Sequence, residues 1–426
     1  MISYRARRRQ RVADRESGQA SMVTVAMFMM LFAAIAVSFT FVVISASRQA
    51  LNDSLQSSAK IAAESGVEDA KRLIVYCYNK RSGDSYTTPD AQQLCPKVIG
   101  KLSTELEGMG CDEILKPMYD NGTISNVEQE SNNRGYRVKV GNNGGGDNEN
   151  NEYYQCLKIA TKTDNYQGVV NNLGKSVIVP LRVVDINNQA AVIDRLEIEW
   201  HRNVTGNDGD NPADMNGAKG TGLPPAGTWN SSNRPAVLRV ERVGVPKNNF
   251  TLDSLAENDT ALTLRPSESG NGKGGYRLGN YEPQYPSSNK DKIAPNSQYH
   301  KGVPIVEAYC QSDSNKEYAC KTIFNKESLY TDKTYYLRIN AIYRSTHFKI
   351  TAYQGKNKLY FDGVQPLVDV TGRSSDSFSR IQARLKPSFD KNADSTNWWP
   401  EYVIDTNGKV CKDIEVQYDT GEDRCK

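Results

Sequence analysis

From Gln19 to Ser47 the chain carries no charged residue and no histidine. The heart of this run, Met22 through Ile44, is apolar on every side of a helical wheel, with Met22, Val23, Phe28, Leu31, Phe32, Ile35 and Phe39 spread around it. A helix rises about 1.5 Å per residue, so roughly 20 apolar residues cross a bilayer. This run is long enough to span, and no second one follows downstream. Six arginines (Arg5, Arg7, Arg8, Arg9, Arg11 and Arg15) precede it against only Asp14 and Glu16. Positive charge on the near side of an apolar span places the N-terminus inside and the remaining chain outside. That compartment permits disulfides, which suits an even count of 8 cysteines.

Charge and composition narrow the function classes. The 426 residues have a formal net charge of +3, and the arginine-rich start accounts for all of it. The body is therefore near neutral, which argues against nucleic acid as the main partner, because phosphate binding needs a concentrated cationic face. Only 38% of residues are hydrophobic, so the chain is not polytopic and its outside part is rich in loops.

What flanks the apolar run separates three readings. A secretory signal has a shorter apolar region and is cut after it; Ser45-Ala-Ser47 offers such a site, but the run is too long. A plain signal anchor is the second reading. The third depends on two features. Upstream, a charged leader ends in Arg15-Glu-Ser-Gly18 directly against Gln19-Ala-Ser-Met22. Downstream, Arg48 to about Tyr78 has no proline and one glycine, Gly66. Leu51, Leu55, Ala59, Ala62, Gly66, Ala70 and Leu73 recur at spacings of three and four, opposite Asn52, Asp53, Gln56, Lys60, Glu64, Glu68 and Lys71. Such a period predicts one long helix with an amphipathic second half.

This arrangement resembles type IV pilins, whose leader is cut before the apolar helix so that the helix stays on the mature protein. The segment Ala63-Glu-Ser-Gly-Val-Glu-Asp-Ala70 resembles the corresponding stretch of PilX-type minor pilins, and Thr371-Gly-Arg373 with Arg380-Ile-Gln-Ala383 resembles the closing strands of the same group. The resemblance covers residues 15–75 well and 335–390 weakly. It implies cleavage between Gly18 and Gln19 by prepilin peptidase, and a membrane-held precursor. It also implies later packing of the helix among other pilin subunits, helped by small residues at Ala33, Ala34 and Ala36. Typical pilins carry a glutamate at the fifth mature position, and here that position is Val23. K-type pseudopilins, which sit at a filament tip, share this departure, so the resemblance implies a minor or tip subunit.

The expected fold class is α+β, a long N-terminal helix packed on a twisted antiparallel sheet with long loops. The expected organisation is a basic leader (1–18), a membrane or filament-core half-helix (19–47), an amphipathic half (48–78), a loop-rich insertion (79–152), a β-rich domain (153–389) and a disulfide-bearing extension (390–426). Alternation marks strands at Arg195–Trp200, Tyr336–Tyr343 and His347–Tyr353, with further β-like runs at Tyr153–Ile159 and Ser176–Val184. Trp200 falls on the core side of its strand.

Catalytic patterns are missing. There is no Gly-x-Ser-x-Gly, no His-Glu-x-x-His and no P-loop. His201 and His347 fall at strand ends and read as surface or strand-end residues. An enzyme is not expected, nor a cofactor, apart from weak calcium candidates at Asp208, Asp210 and Asp214, which lack EF-hand spacing. Cys310–Cys320 and Cys411–Cys425 each close a short polar loop, and Cys77, Cys95, Cys111 and Cys156 would supply two further bridges. Trp398 and Trp399 are candidates for surface contact with a host or neighbouring cell. The leading expectation is a minor subunit of a type IV pilus-like filament, first in the cell membrane with its C-terminal part outside, then extracellular. The alternatives are a single-pass anchored surface binding protein and a secreted hydrolase.

Overall fold

The computed structural model describes residues 3–82, 85–122, 126–130, 135–140, 152–171, 176–206, 209–216, 226–230, 233–246, 260–268, 305–329 and 333–386, with side chains described except at 3–21, 82, 226, 230, 246, 260, 325–329 and 333. Helix α1 runs unbroken over Ser3–Lys80, 78 residues, or about 120 Å. No proline interrupts it, and its glycines, Gly18 and Gly66, are too few to break it.

After α1 come a short hairpin, β1 (Arg81–Ser82) and β2 (Ser85–Tyr86), helix α2 (Pro89–Val98), a 3₁₀ turn (Ser103–Gly108) and helix α3 (Asp112–Asp120). The segment 79–152, expected to be loop-rich, thus contains two helices that help to build a core. In α2, Pro89 sits at the helix start, where its missing N–H costs nothing, and Ala91, Leu94, Cys95 and Val98 turn inward. In α3, Ile114, Leu115 and Met118 do the same.

The remaining elements are β3 (Val127–Gln129), β4 (Tyr136–Lys139), β5 (Glu152–Thr163), β6 (Tyr166–Val170), β7 (Val177–Pro180), β8 (Val183–Val184), β9 (Ile193–Arg202), helix α4 (Ala226–Asn230), β10 (Val237–Pro246), β11 (Thr260–Ser267), β12 (Ile305–Cys310), β13 (Tyr318–Leu329), β14 (Lys333–Ile342), β15 (Thr346–Gln354), β16 (Asn357–Lys358), β17 (Tyr360–Ser374) and β18 (Ser377–Arg384). They form two sheets rather than one. A six-stranded sheet has the order β18-β17-β5-β4-β3, with β8 added on β17. A ten-stranded sheet has the order β16-β15-β9-β13-β12-β11-β10-β14-β7, with β6 added on β15. The chain is therefore α+β, but the larger sheet is mixed, because β11 and β12 pair in parallel. The run 176–184 is also two strands, β7 and β8, which join different sheets.

Each sheet has its own core. The larger core gathers Trp200, Phe324, Phe348, Leu238 and Leu264 of the ten-stranded sheet, together with Phe361 of β17. Trp200 is fully buried and donates its indole N–H to the Ala236 carbonyl, 2.9 Å away, which satisfies its one polar group. The smaller core lies between the six-stranded sheet, α2, α3 and the second half of α1, with Leu73, Ile74, Leu94, Ile114, Tyr154 and Val370 at its centre. Strand β17 serves both, placing Phe361 in the larger core and Val368 and Val370 in the smaller.

Candidate functional site

Helix α1 divides into a projecting half and a seated half. From Met22 to Ala50 every residue is exposed. Phe28 is 63% and Phe39 69% exposed, and Met22, Val23, Leu31, Phe32 and Ile35 are likewise bare. A sleeve of large apolar side chains in water is unfavourable by about 25 cal/mol per Å², so this half calls for an apolar surrounding that the described residues do not supply. Its two central hydroxyls are already satisfied inside the helix: Ser38 donates to the Ala34 carbonyl at 2.9 Å and Thr40 to the Ala36 carbonyl at 2.8 Å. In hydrocarbon, where no water is at hand, that internal pairing is required. Among the described residues this is one helix long and apolar enough to cross a membrane. With the disulfides below, it makes the chain a candidate for membrane anchoring with its β domain in an oxidising compartment.

The seat begins later than the sequence period suggests. Leu51 stays exposed and Leu55 half-buried, whereas Ala59, Ala62, Gly66, Ala70, Leu73, Ile74 and Cys77 are buried against β17, β18, β5 and α2. The small residues have a steric reason. A Cβ on Gly66 would lie 2.6 Å from Val370 Cγ1 and 2.9 Å from Tyr154 Cγ, and a Cβ on Gly372 would run into the backbone of Ala59 and Ala63. The two segments that carry the pilin resemblance, 63–70 and 371–383, therefore meet in space where Gly372 approaches Ala63.

Polar contacts fix the register of that seat. Tyr154 donates its hydroxyl to Asp69 at 3.0 Å, and its pKa is raised by burial and then by the Asp69 charge. Tyr78 donates to Asp362 at 2.7 Å, and Arg182 pairs with the same carboxylate at 3.0 Å while stacking over the Tyr78 ring. Asp362 is thereby a three-way joint between α1, β17 and the approach to β8. Lys162, its register partner on β5, is almost fully buried, and burial lowers its pKa.

Among the described residues, three disulfides brace the domain. Cys77–Cys95 ties α1 to α2, Cys111–Cys156 ties the start of α3 to β5, and Cys310–Cys320 joins register partners on β12 and β13. Cys411, Cys425, Trp398, Trp399 and Asp208 lie outside the described residues. Gly18 and Gln19 fall within α1, on the part whose side chains are not described.

Of the other sequence candidates, His201 lies at the end of its strand, as one of the two readings had it, but is fully buried and not on the surface. Asp210 is not an open calcium ligand: its two oxygens accept hydrogen bonds from the Arg202 N–H, the Thr346 hydroxyl, the His347 N–H and the His347 Nδ1–H, each at 2.9 Å. Three of these donors converge on Oδ2 and one on Oδ1, so the carboxylate is largely committed to the protein's own groups. Asp214 caps its own loop, accepting from the Asn216 N–H at 3.0 Å. No group of three or more metal-binding side chains occurs among the described residues. Sequence reading missed this buried polar cluster, since Asn207-Asp-Gly-Asp-Asn211 has the composition of a solvated turn.

A shallow cleft of about 290 Å³ opens between the 3₁₀ turn and the six-stranded sheet, lined by Glu107, Cys156, Lys158, Asp369, Thr371 and Arg380. Arg380 grips Asp369 with two nitrogens, and Lys158 donates to the backbone carbonyl of Glu107 at 3.3 Å. Compared with protein-family models, with curated proteins and with solved structures, the chain matches none of them.

Proposed function

We propose that the chain is a minor subunit of a type IV pilus-like filament, contributing to pilus assembly and to attachment to a surface or a cell. The observation that carries the reading is the bare apolar half of α1, continuous with a half seated in its own domain. A precursor of this form would rest in the membrane by the Gln19–Ser47 run and be cut between Gly18 and Gln19 by prepilin peptidase. It would then move sideways from lipid into a bundle of like helices, exchanging one apolar surrounding for another. Such packing favours small residues that let backbones approach, as Ala33, Ala34 and Ala36 do. Val23, at the fifth mature position, leaves no buried carboxylate to be neutralised by a neighbour's amine, which suits a tip or minor place. In this reading the six-stranded sheet is the twisted pilin sheet, the ten-stranded sheet is an elaboration carried outward, and Trp398 and Trp399 belong to the contact side. No catalytic role and no cofactor are assigned to the chain.

Replacing Gly18 by a bulky residue tests the reading. The expected result is an uncut precursor that stays in the membrane and does not enter filaments. Normal filaments with a normal-sized subunit in that variant would overturn it. Mass spectrometry of the mature N-terminus separates the alternative supported by the same helix, a single-pass anchored surface protein outside any pilus, which retains its arginine leader.

A further inference from the structure

Two of the chain's 3 histidines converge at one end of the ten-stranded sheet. The pairing of β9 with β15 stops at Trp200 opposite Phe348. Just beyond, His201 adopts φ 63°, in the left-handed region, and β9 ends one residue later at Arg202. Its N–H turns to the Thr346 hydroxyl at 3.1 Å. The chain then folds back, and residues 209–216 form a strap over the sheet end. The Asp210 N–H donates to the Arg202 carbonyl at 2.7 Å, the Asn211 N–H to the Val204 carbonyl at 3.2 Å and the Met215 N–H to Ser312 Oγ at 2.9 Å. The Asp214 N–H donates to the Asn233 carbonyl at 3.0 Å.

The His201 ring lies under this strap, fully buried, with Nε2 at 2.9 Å from the Asn211 carbonyl oxygen. A carbonyl only accepts, so Nε2 carries the hydrogen and Nδ1 keeps its lone pair. Nδ1 is buried and has no hydrogen-bond partner among the described residues. We propose that His201 is an acid-sensitive pin: neutral, it holds strap 209–216 on the end of the sheet, and protonated, it lets the strap go.

The physical case rests on where a second proton would land. It would create an N–H at Nδ1, in a buried site where none of the described residues accepts it and an unmatched donor is costly. The charged groups around the ring come from every side. Asp210 on the strap favours the charged ring, whereas Arg344 on the β14–β15 turn and His347 on β15 oppose it. Arg202, next along β9, is matched by Glu317, which precedes β13, at 3.5 Å, and the neighbouring Tyr318 is neutral because burial raises its pKa. Burial outweighs Asp210 and holds His201 down at about 4, against an ordinary 6.5. A ring released to water regains the ordinary value. The released strap therefore binds a proton that the clasped one refuses between these two pH values. The clasp has full strength above about pH 6.5 and weakens as pH falls toward 4. From about pH 7.5 to about pH 5 the opening equilibrium rises on the order of 30-fold.

The inference is independent of whether the chain enters a filament. It is tested by hydrogen exchange on the full chain in detergent micelles at about pH 7.5 and about pH 5, corrected for the intrinsic rate. The expected result is a rise of about 30-fold in the opening of 209–216, with β5 and β17 unchanged. His201→Gln can still donate to Asn211 but does not titrate, and should bring that ratio close to unity. His347→Asn, which can still donate to Asp210, should keep it. A flat profile in the unsubstituted chain, or the same ratio with His201→Gln, overturns the proposal. Should His201→Gln fail to fold, the His201 ring resonance of the unsubstituted chain decides: a midpoint below about 5 supports the pin, and one near 6.5 removes it.

Discussion

The two halves of α1 share one unbroken backbone and meet opposite surroundings. Between Met22 and Ala50 every residue is exposed, although large apolar side chains dominate. Between Ala59 and Cys77 the buried residues are mostly small, and they disappear into the domain. Apolar character alone thus does not decide burial within this chain. Small side chains let the helix backbone approach a sheet closely enough to exclude water. Large ones all round the axis cannot be covered by one sheet, and suit a medium that touches the helix on every side.

Substitutions can break this contrast or sharpen it. The largest effect is expected for Gly372→Val. Its side chain has no space against the backbone of Ala59 and Ala63, so α1 must lift from the sheet. A loss of about 3 kcal/mol or more is expected, read as failed or much less stable folding in chemical denaturation. Ile74→Ala comes next. Ile74 is fully buried in the smaller core, and the cavity should cost about 3 kcal/mol in the same measurement. A smaller effect is expected for Tyr154→Phe, which removes the bond to Asp69. Asp69 keeps partial access to water, so about 1 kcal/mol is expected. The smallest belongs to Phe32→Ala on the projecting half, where the ring touches nothing of its own domain. Domain stability should stay within about 0.5 kcal/mol, while retention in the membrane fraction falls. A large loss of domain stability with Phe32→Ala would mean that the two halves are not energetically separate.

Much of α1 was legible because its signals are local. A run without charge, a period of three to four and the absence of proline are properties of neighbouring residues. The period nevertheless overreached at Leu51 and Leu55, because the helix overhangs the sheet there and spacing does not reveal where a sheet ends. Helices α2 and α3 were hidden by polar composition and by Pro96 and Pro117, and each is amphipathic only over a turn or two. The run 176–184 looked like one strand, yet Pro180 ends β7 and β8 begins again on the other sheet. The Asp210 cluster was not legible at all. Its partners Arg202, Thr346 and His347 come from two strands far apart in sequence, and its own segment reads as a hydrated turn.

By itself, then, the sequence determined a long helix with an uncharged apolar half, an amphipathic continuation and a β-rich remainder, because periodicity and charge act between near neighbours. Tertiary structure alone decided that the strands divide into two sheets whose cores both draw on β17, and that Gly66 and Gly372 lie where a side chain would have no room. It alone decided, too, that a histidine from a strand end lies buried beside a carboxylate. Those outcomes depend on which distant segments exclude water from one another, and contacts across such separations leave no mark in local spacing.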